Sequence, residues 1–297
     1  MRTDIAFPSD GVTLRSWLYR PDNAAGRVPA IVMAHGFSAT KEMDLPGFAE
    51  VFCQAGFAVL LYDHRNLGAS DGEPRGEIDP WAQIRGYRDA ITYAQTLAGI
   101  DPARIGIWGS SYSGGHVLVV GAIDRRVKCV VSQVPLTDGY ATLQRQVRAD
   151  VIPQLRAQFD ADRAARFRGE PPGMIPVVAE KEGGPAFFQA GDFRKYFLSF
   201  GKRAPTWRNE VTLRSVEMIF EYNPGSYIAR ISPTPLLMVV GRDDTPLAEI
   251  AFDVYERARP PKHLVTLECG HFEPYSGRFF EPNVAAQRAW FVEHLRP

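Results

Sequence analysis

The stretch Gly109-Ser110-Ser111-Tyr112-Ser113-Gly114-Gly115 carries the residues best suited to chemistry. It follows the alternation Arg104-Ile105-Gly106-Ile107-Trp108 and leads into the apolar run His116-Val117-Leu118-Val119-Val120. The first pattern predicts a short buried strand ending at Trp108, and the second an apolar helix. A serine at the apex of a strand–turn–helix unit has the layout of a nucleophile elbow. That turn is tight, so the residues two before and two after the nucleophile must be small. Centred on Ser111 they are Gly109 and Ser113, the second departing from the usual glycine. Centred on Ser110 they would be Trp108 and Tyr112, which are too large. Ser113 has small neighbours in Ser111 and Gly115 but lies too far past the strand end. Gly109 and Gly114 have the spacing of a phosphate-binding loop, yet Gly115 stands where such a loop needs its lysine. An ordinary glycine-rich turn is the remaining bland alternative. Ser111 is expected to be the nucleophile.

A serine hydroxyl needs a base, and the base needs an orienting carboxylate. Among six histidines, His271 follows the last expected strand in Glu268-Cys269-Gly270-His271-Phe272-Glu273, on a glycine-bearing loop able to reach a sheet edge. His64, in Asp63-His64-Arg65, is the second candidate. His35 is expected to shape the turn after its strand, His116 lies in the elbow helix, and His263 and His294 look peripheral. The acid should end the preceding strand, in Gly241-Arg242-Asp243-Asp244-Thr245. Asp244, three residues past the glycine, is assigned, with Asp243 and Asp138 as alternatives; most loop aspartates only cap turns or helices. The developing oxyanion needs preorganised donors. The backbone N–H groups of Tyr112, just after the nucleophile, and of Phe37, in His35-Gly36-Phe37, occupy the right topological places.

These residues require a scaffold. Residues 5–7 and 12–19 flank an Asp-Gly turn and predict an antiparallel hairpin. Apolar runs at 30–34, 57–62, 127–131, 235–240 and 264–267 predict buried strands. Helices are expected from Asp44 to Gly56, after the Asp79-Pro80 cap, over 247–258 and over 284–295. Strands alternating with helices after an antiparallel start indicate an α/β fold with a mostly parallel sheet flanked by helices. The alternation stops after Pro135. Near one hundred residues follow with frequent Pro and Gly and an aromatic cluster from Phe187 to Trp207, too long for a structureless loop. The expected organisation is a core of 1–135 and 232–297 with a largely helical cap inserted over 136–231. The aromatics are expected mostly to form the cap's own core, some of them facing the sheet edge and enclosing the substrate.

With elbow, acid, base and oxyanion loop in this order, the chain resembles the α/β-hydrolase superfamily. The resemblance is closest to the serine branch of dienelactone-hydrolase-like and X-prolyl-peptidase-like esterases. The strings that carry it are His35-Gly36-Phe37-Ser38-Ala39-Thr40-Lys41-Glu42, Asp63-His64-Arg65-Asn66-Leu67-Gly68-Ala69-Ser70-Asp71-Gly72 and Gly109-Ser110-Ser111-Tyr112-Ser113-Gly114-Gly115. Dienelactone hydrolases proper use a cysteine nucleophile, and the haloalkane and epoxide branches an aspartate, so those reactions are not implied. The resemblance implies a serine carboxylic-ester hydrolase working through an acyl-enzyme on small to medium uncharged esters. Amide, peptide, thioester or lactone hydrolysis on the same triad is the alternative; a ligand-binding module would have no need of the whole set.

Bulk composition narrows the partners. Lys+Arg and Asp+Glu both number 34 in 297 residues, so no basic field points to nucleic acid. No apolar stretch is long enough for a membrane span, and the first residues lack the pattern of a signal peptide. Cys53, Cys129 and Cys269 lack metal-ligand spacing, and no His-Glu-x-x-His string occurs, so neither metal nor cofactor is expected. The cysteine usage fits a reduced, cytoplasmic setting, and the expected partner is a small-molecule ester.

Overall fold

The computed structural model describes residues 1–22, 26–245 and 247–297. β1 (Arg2–Ser9) and β2 (Val12–Tyr19) form the expected hairpin, with Asp10 and Gly11 at positive φ in its turn. β3 (Val28–Ala34), α1 (Leu45–Gln54), β4 (Ala58–Tyr62), α2 (Pro80–Thr96), β5 (Ile100–Ser110), α3 (Tyr112–Ile123) and β6 (Val127–Gln133) then alternate. Between β6 and the next sheet strand come α4 (Gly139–Gln146), α5 (Ile152–Phe167), β7 (Met174–Ile175), α6 (Gly191–Phe200), β8 (Val211–Thr212) and α7 (Leu213–Glu221). β9 (Leu236–Gly241), α8 (Leu247–Glu256), β10 (Lys262–Leu267) and α9 (Phe280–Leu295) complete the chain.

The main sheet has the order β1-β2-β4-β3-β5-β6-β9-β10. β2 pairs antiparallel with β1 and β4, and the remaining neighbours are parallel. Parallel strands need both faces covered, and the period of two in β3 and β4 divides their side chains between two cores. Val32 and Leu60 pack with Tyr87 and Ile91 of α2, Val117 and Leu118 of α3, and Ala251 and Val254 of α8. Ile31, Met33 and Leu61 pack on the other face with Phe48 and Phe52 of α1 and Phe291 and Leu295 of α9.

Some local expectations change. β5 runs two residues past Trp108, because backbone pairing to β6 continues to Ser110 opposite Gln133. The Ser110 hydroxyl tolerates burial there through bonds with the Tyr275 hydroxyl (2.5 Å) and the Gln133 amide (3.0 Å). Asp79 caps α2 as expected, accepting from Trp81 N and Ala82 N. Asp44 precedes α1 in a left-handed conformation without capping it; Pro near the helix start supplies the local preference instead. α9 begins four residues earlier than the expected 284, at Phe280. The segment after β6 is mainly helical but also contains the small antiparallel pair β7–β8, with Met174 opposite Thr212.

Candidate active site

Ser111 stands between β5 and α3 at φ 57° and ψ −118°, a region that L side chains rarely adopt. Its surroundings fix it there. Its N–H donates to the Gln133 carbonyl (2.9 Å), and its own carbonyl accepts from Gly115 N (3.2 Å) and Leu136 N (3.0 Å). A Cβ on Gly109 would lie 2.1 Å from the Ser113 carbonyl oxygen, so only glycine fits two residues before the apex. A Cβ on Gly115 would lie 2.4 Å from the Leu136 carbonyl oxygen, which explains a second small residue where α3 crosses the end of β6.

Asp244 lies three residues past β9, and His271 lies four past β10. These loops touch: Asp243 N donates to the Cys269 carbonyl at 3.0 Å, and a Cβ on Gly241 would meet that same oxygen at 2.7 Å. The loops bring His271 Nδ1 to 2.6 Å from Asp244 Oδ2 and His271 Nε2 to 3.0 Å from Ser111 Oγ. Both partners of the ion pair are buried. With Nδ1–H donated to the carboxylate, Nε2 is free to accept the serine proton. Burial disfavours the imidazolium, but the charge of Asp244 and its hydrogen bond outweigh burial and hold the His271 pKa above the usual histidine value.

Phe37 and Tyr112 flank this centre. Tyr112 is the first residue of α3, so its N–H has no partner within the helix. Neither N–H donates to another group among the described residues. The loop carrying Phe37 runs against the serine, since a Cβ on Gly36 would lie 2.9 Å from Ser111 Cβ.

The other candidates are engaged elsewhere. His64 Nε2 lies 2.8 Å from Ser113 Oγ, and both side chains are buried; Ser111 Oγ is hydrogen-bonded to His271 instead. Asp138 accepts from Ala141 N (2.9 Å), capping α4, and from Asn223 Nδ2 (2.8 Å). Asp243 is exposed beside Asp244. His35 Nδ1 meets the Gly36 carbonyl, the turn-shaping contact that was expected. His116 bridges Tyr222 and Gln83 at 2.8 Å each; burial, with a smaller effect of His35, lowers its pKa to about 3.

Ser111 and His271 open into a cavity of about 310 Å3, walled by Leu143 of α4, Ile219 and Phe220 of α7, Leu247 of α8, and Phe187, Phe188 and Phe193. Apart from His271, every described residue lining it is uncharged. A smaller recess of about 30 Å3, with Met43, Tyr196 and Phe272 in its wall, reaches the same serine and histidine. Phe193 lies in both walls and stacks on His271 at 5.5 Å and 18°. The aromatic run thus divides. Phe187, Phe188 and Phe193 face the cavity, whereas Phe200 is buried and Phe197 stacks on Trp207. Sequence reasoning missed Leu143, Ile219 and Leu247, because an apolar helical residue gives the same signal whether it faces a core or a cavity. Among the described residues, no group of three or more His, Cys, Asp or Glu is arranged to hold a metal ion. No helix of the described residues is long and apolar enough to cross a membrane.

A family model described as X-Pro dipeptidyl-peptidase (S15 family) matches residues 10–273. The chain is 36% identical to the thiohydrolase AneE of Aspergillus aculeatus over 94% of its own length and 88% of that protein. It is also 36% identical to the quorum-quenching protein AidA of Acinetobacter baumannii, over 99% of this chain and 95% of the relative. The crystal structure of the α/β hydrolase GrgF from Penicillium sp. sh18 superposes with a TM-score of 0.87 at 29% identity, covering all of both chains. The fold is that of the α/β hydrolases.

Proposed function

The chain belongs to the X-Pro dipeptidyl-peptidase (S15) family of α/β hydrolases, and from that premise we propose a serine hydrolase that cleaves uncharged acyl esters, thioesters or lactones through an acyl-enzyme. The observation that carries this reading is the relay from Asp244 through His271 to Ser111, at 2.6 and 3.0 Å, opening into an uncharged cavity. His271 takes the proton of Ser111 as its Oγ attacks the acyl carbon. The Phe37 and Tyr112 N–H groups receive the oxyanion, and His271 returns the proton to an alkoxide leaving group. A thiolate leaves with less need of that proton, because an ordinary thiol is already acidic near pKa ~8.5. Water activated by the same histidine then releases the acid.

The segment between β6 and β9 serves in this reading as a cap over the elbow. Its walls favour an acyl chain, since apolar side chains make up most of the lining of a cavity of about 310 Å3. A peptide with a free amino terminus is a poorer fit, since no described lining residue carries a carboxylate to pair with its ammonium. The names of the relatives, a thiohydrolase and a quorum-quenching protein, fit an acyl thioester or a lactone at least as well as a simple carboxylic ester.

The test is a substrate panel holding one acyl group constant across an aryl ester, a thioester, a lactone and an anilide. The ester, thioester and lactone should be turned over with kcat/KM at least ~100-fold above the anilide, since amines are poor leaving groups. Preferential anilide or dipeptide cleavage would overturn the assignment.

A further inference from the structure

We propose that Ser113 and His64, with His35, form a hydrogen-bonded circuit whose role is to aim the Phe37 N–H at the oxyanion, which makes Ser113 and His64 positioning residues. The inference rests on the reading of Ser111 as nucleophile and of Phe37 N–H as an oxyanion donor.

Every link of the circuit can be given a direction. The His64 backbone N–H donates to His35 Nε2 at 3.1 Å, so that nitrogen is the acceptor and His35 carries its proton on Nδ1. His35 Nδ1–H then donates to the Gly36 carbonyl at 2.9 Å. The Ser113 hydroxyl donates to the His35 carbonyl at 2.5 Å, leaving its oxygen to accept from His64 Nε2–H at 2.8 Å. His64 therefore bears its proton on Nε2, and its buried Nδ1 has no hydrogen-bond partner among the described residues. These assignments require both rings to be neutral. Burial first, and for His64 then its histidine neighbours, push the two pKa values down, His64's well below the ordinary range.

The consequence follows from peptide geometry. A trans peptide is planar, with C=O and N–H pointing opposite ways. Ser113 fixes the His35 carbonyl, and His35 Nδ1 together with Ala39 N (3.3 Å) fixes the Gly36 carbonyl. Two successive peptide planes are thereby held, and the Phe37 N–H is turned away from the Gly36 carbonyl's partners. Ser113 belongs to α3, the helix whose first residue, Tyr112, supplies the second donor. The circuit thus ties one half of the oxyanion hole to the other. A glycine two residues past the nucleophile would satisfy the steric demand of the elbow but would lack this tether.

The experiment compares Ser113→Ala, Ser113→Gly, His64→Phe, His64→Gln and the double variant Ser113→Ala/His64→Phe in the full chain. Turnover of a p-nitrophenyl butyrate series is normalised to the serine titrated by a fluorophosphonate, so that unfolded protein does not count. Ser113→Ala, Ser113→Gly and His64→Phe should each lower kcat about 10- to 100-fold with KM within about threefold, the scale of a misplaced oxyanion donor. The Ki of a trifluoromethyl ketone, which forms an oxyanion on the enzyme, should rise in parallel. The double variant should lose no more than about twofold beyond either single one, as members of one network do. His64→Gln, whose amide can donate in place of Nε2–H, should recover most of the loss. Single variants with kcat within twofold of the parent, or losses that multiply in the double variant, would overturn the circuit. Failure of the parent protein to be labelled at Ser111 would instead overturn the nucleophile assignment, and the circuit's catalytic role with it.

Discussion

Ser111 keeps an unfavourable backbone conformation because three backbone hydrogen bonds and two glycines leave it no alternative. Replacing its hydroxyl removes the proposed nucleophile and almost no volume. Ser111→Ala should therefore leave the thermal midpoint within a few degrees while lowering kcat/KM by several orders of magnitude. Asp244 stands behind His271, hydrogen-bonded to its Nδ1. Asp244→Asn should lower kcat by about 10^4-fold through loss of the correct tautomer and of imidazolium stabilisation. The isosteric change Asp138→Asn, which preserves a good helix cap, should stay within about twofold on both activity and stability. The pH profile carries the same argument. The proposed mechanism needs neutral His271, and Asp244 holds its pKa above the usual ~6.5. Activity should therefore fall, as pH is lowered, through an apparent pKa above that value, and the residual activity of Asp244→Asn should show this limb shifted to lower pH. An unshifted limb would assign the titration to another group. The position of Ser111 at the turn between β5 and α3 was legible in the sequence because steric crowding in such a turn admits only small neighbours. The pairing of His64 with Ser113 was not, because contacts between residues 49 apart leave no periodic trace.

At the scale of elements, the sheet was legible because parallel strands buried on both faces read as continuous apolar runs, and each such run became a strand. Strand ends were less legible, as β5 shows: its last two residues are small or polar, and burial is tolerated through side-chain partners distant in sequence. The glycine rule has a sharp consequence here. Gly109→Ala would force a Cβ to 2.1 Å from the Ser113 carbonyl, a backbone atom that cannot swing aside. The strand–helix junction should open, and the variant should be recovered with a thermal midpoint lowered by ten degrees or more, or as insoluble protein. Gly11→Ala has open space around it and loses only conformational ease at positive φ. It should retain full kcat per folded molecule. Comparable behaviour of the two variants would show that crowding at Gly109 is relieved by backbone adjustment.

At the scale of the molecule, the proposed function assigns substrate choice to the space between the sheet edge and the segment joining β6 to β9. That space was only partly legible, since the aromatics announced a packed segment while α4 and α7 gave no sign of which faces they turn to the serine. Leu143 projects from α4 into the cavity wall. Leu143→Trp should lower kcat/KM for octanoyl esters at least tenfold more than for acetyl esters; equal losses would mean that the acyl chain lies elsewhere, the smaller recess beside Met43 and Tyr196 being the other space that reaches Ser111. The most direct test of the central claim is peptide mass spectrometry of the enzyme quenched in acid during turnover of a slow acyl thioester. The account predicts one acyl group on the hydroxyl of Ser111 that disappears on chase with water. Acylation at Ser113, or steady turnover with no acyl adduct under conditions where deacylation is slow, would contradict it.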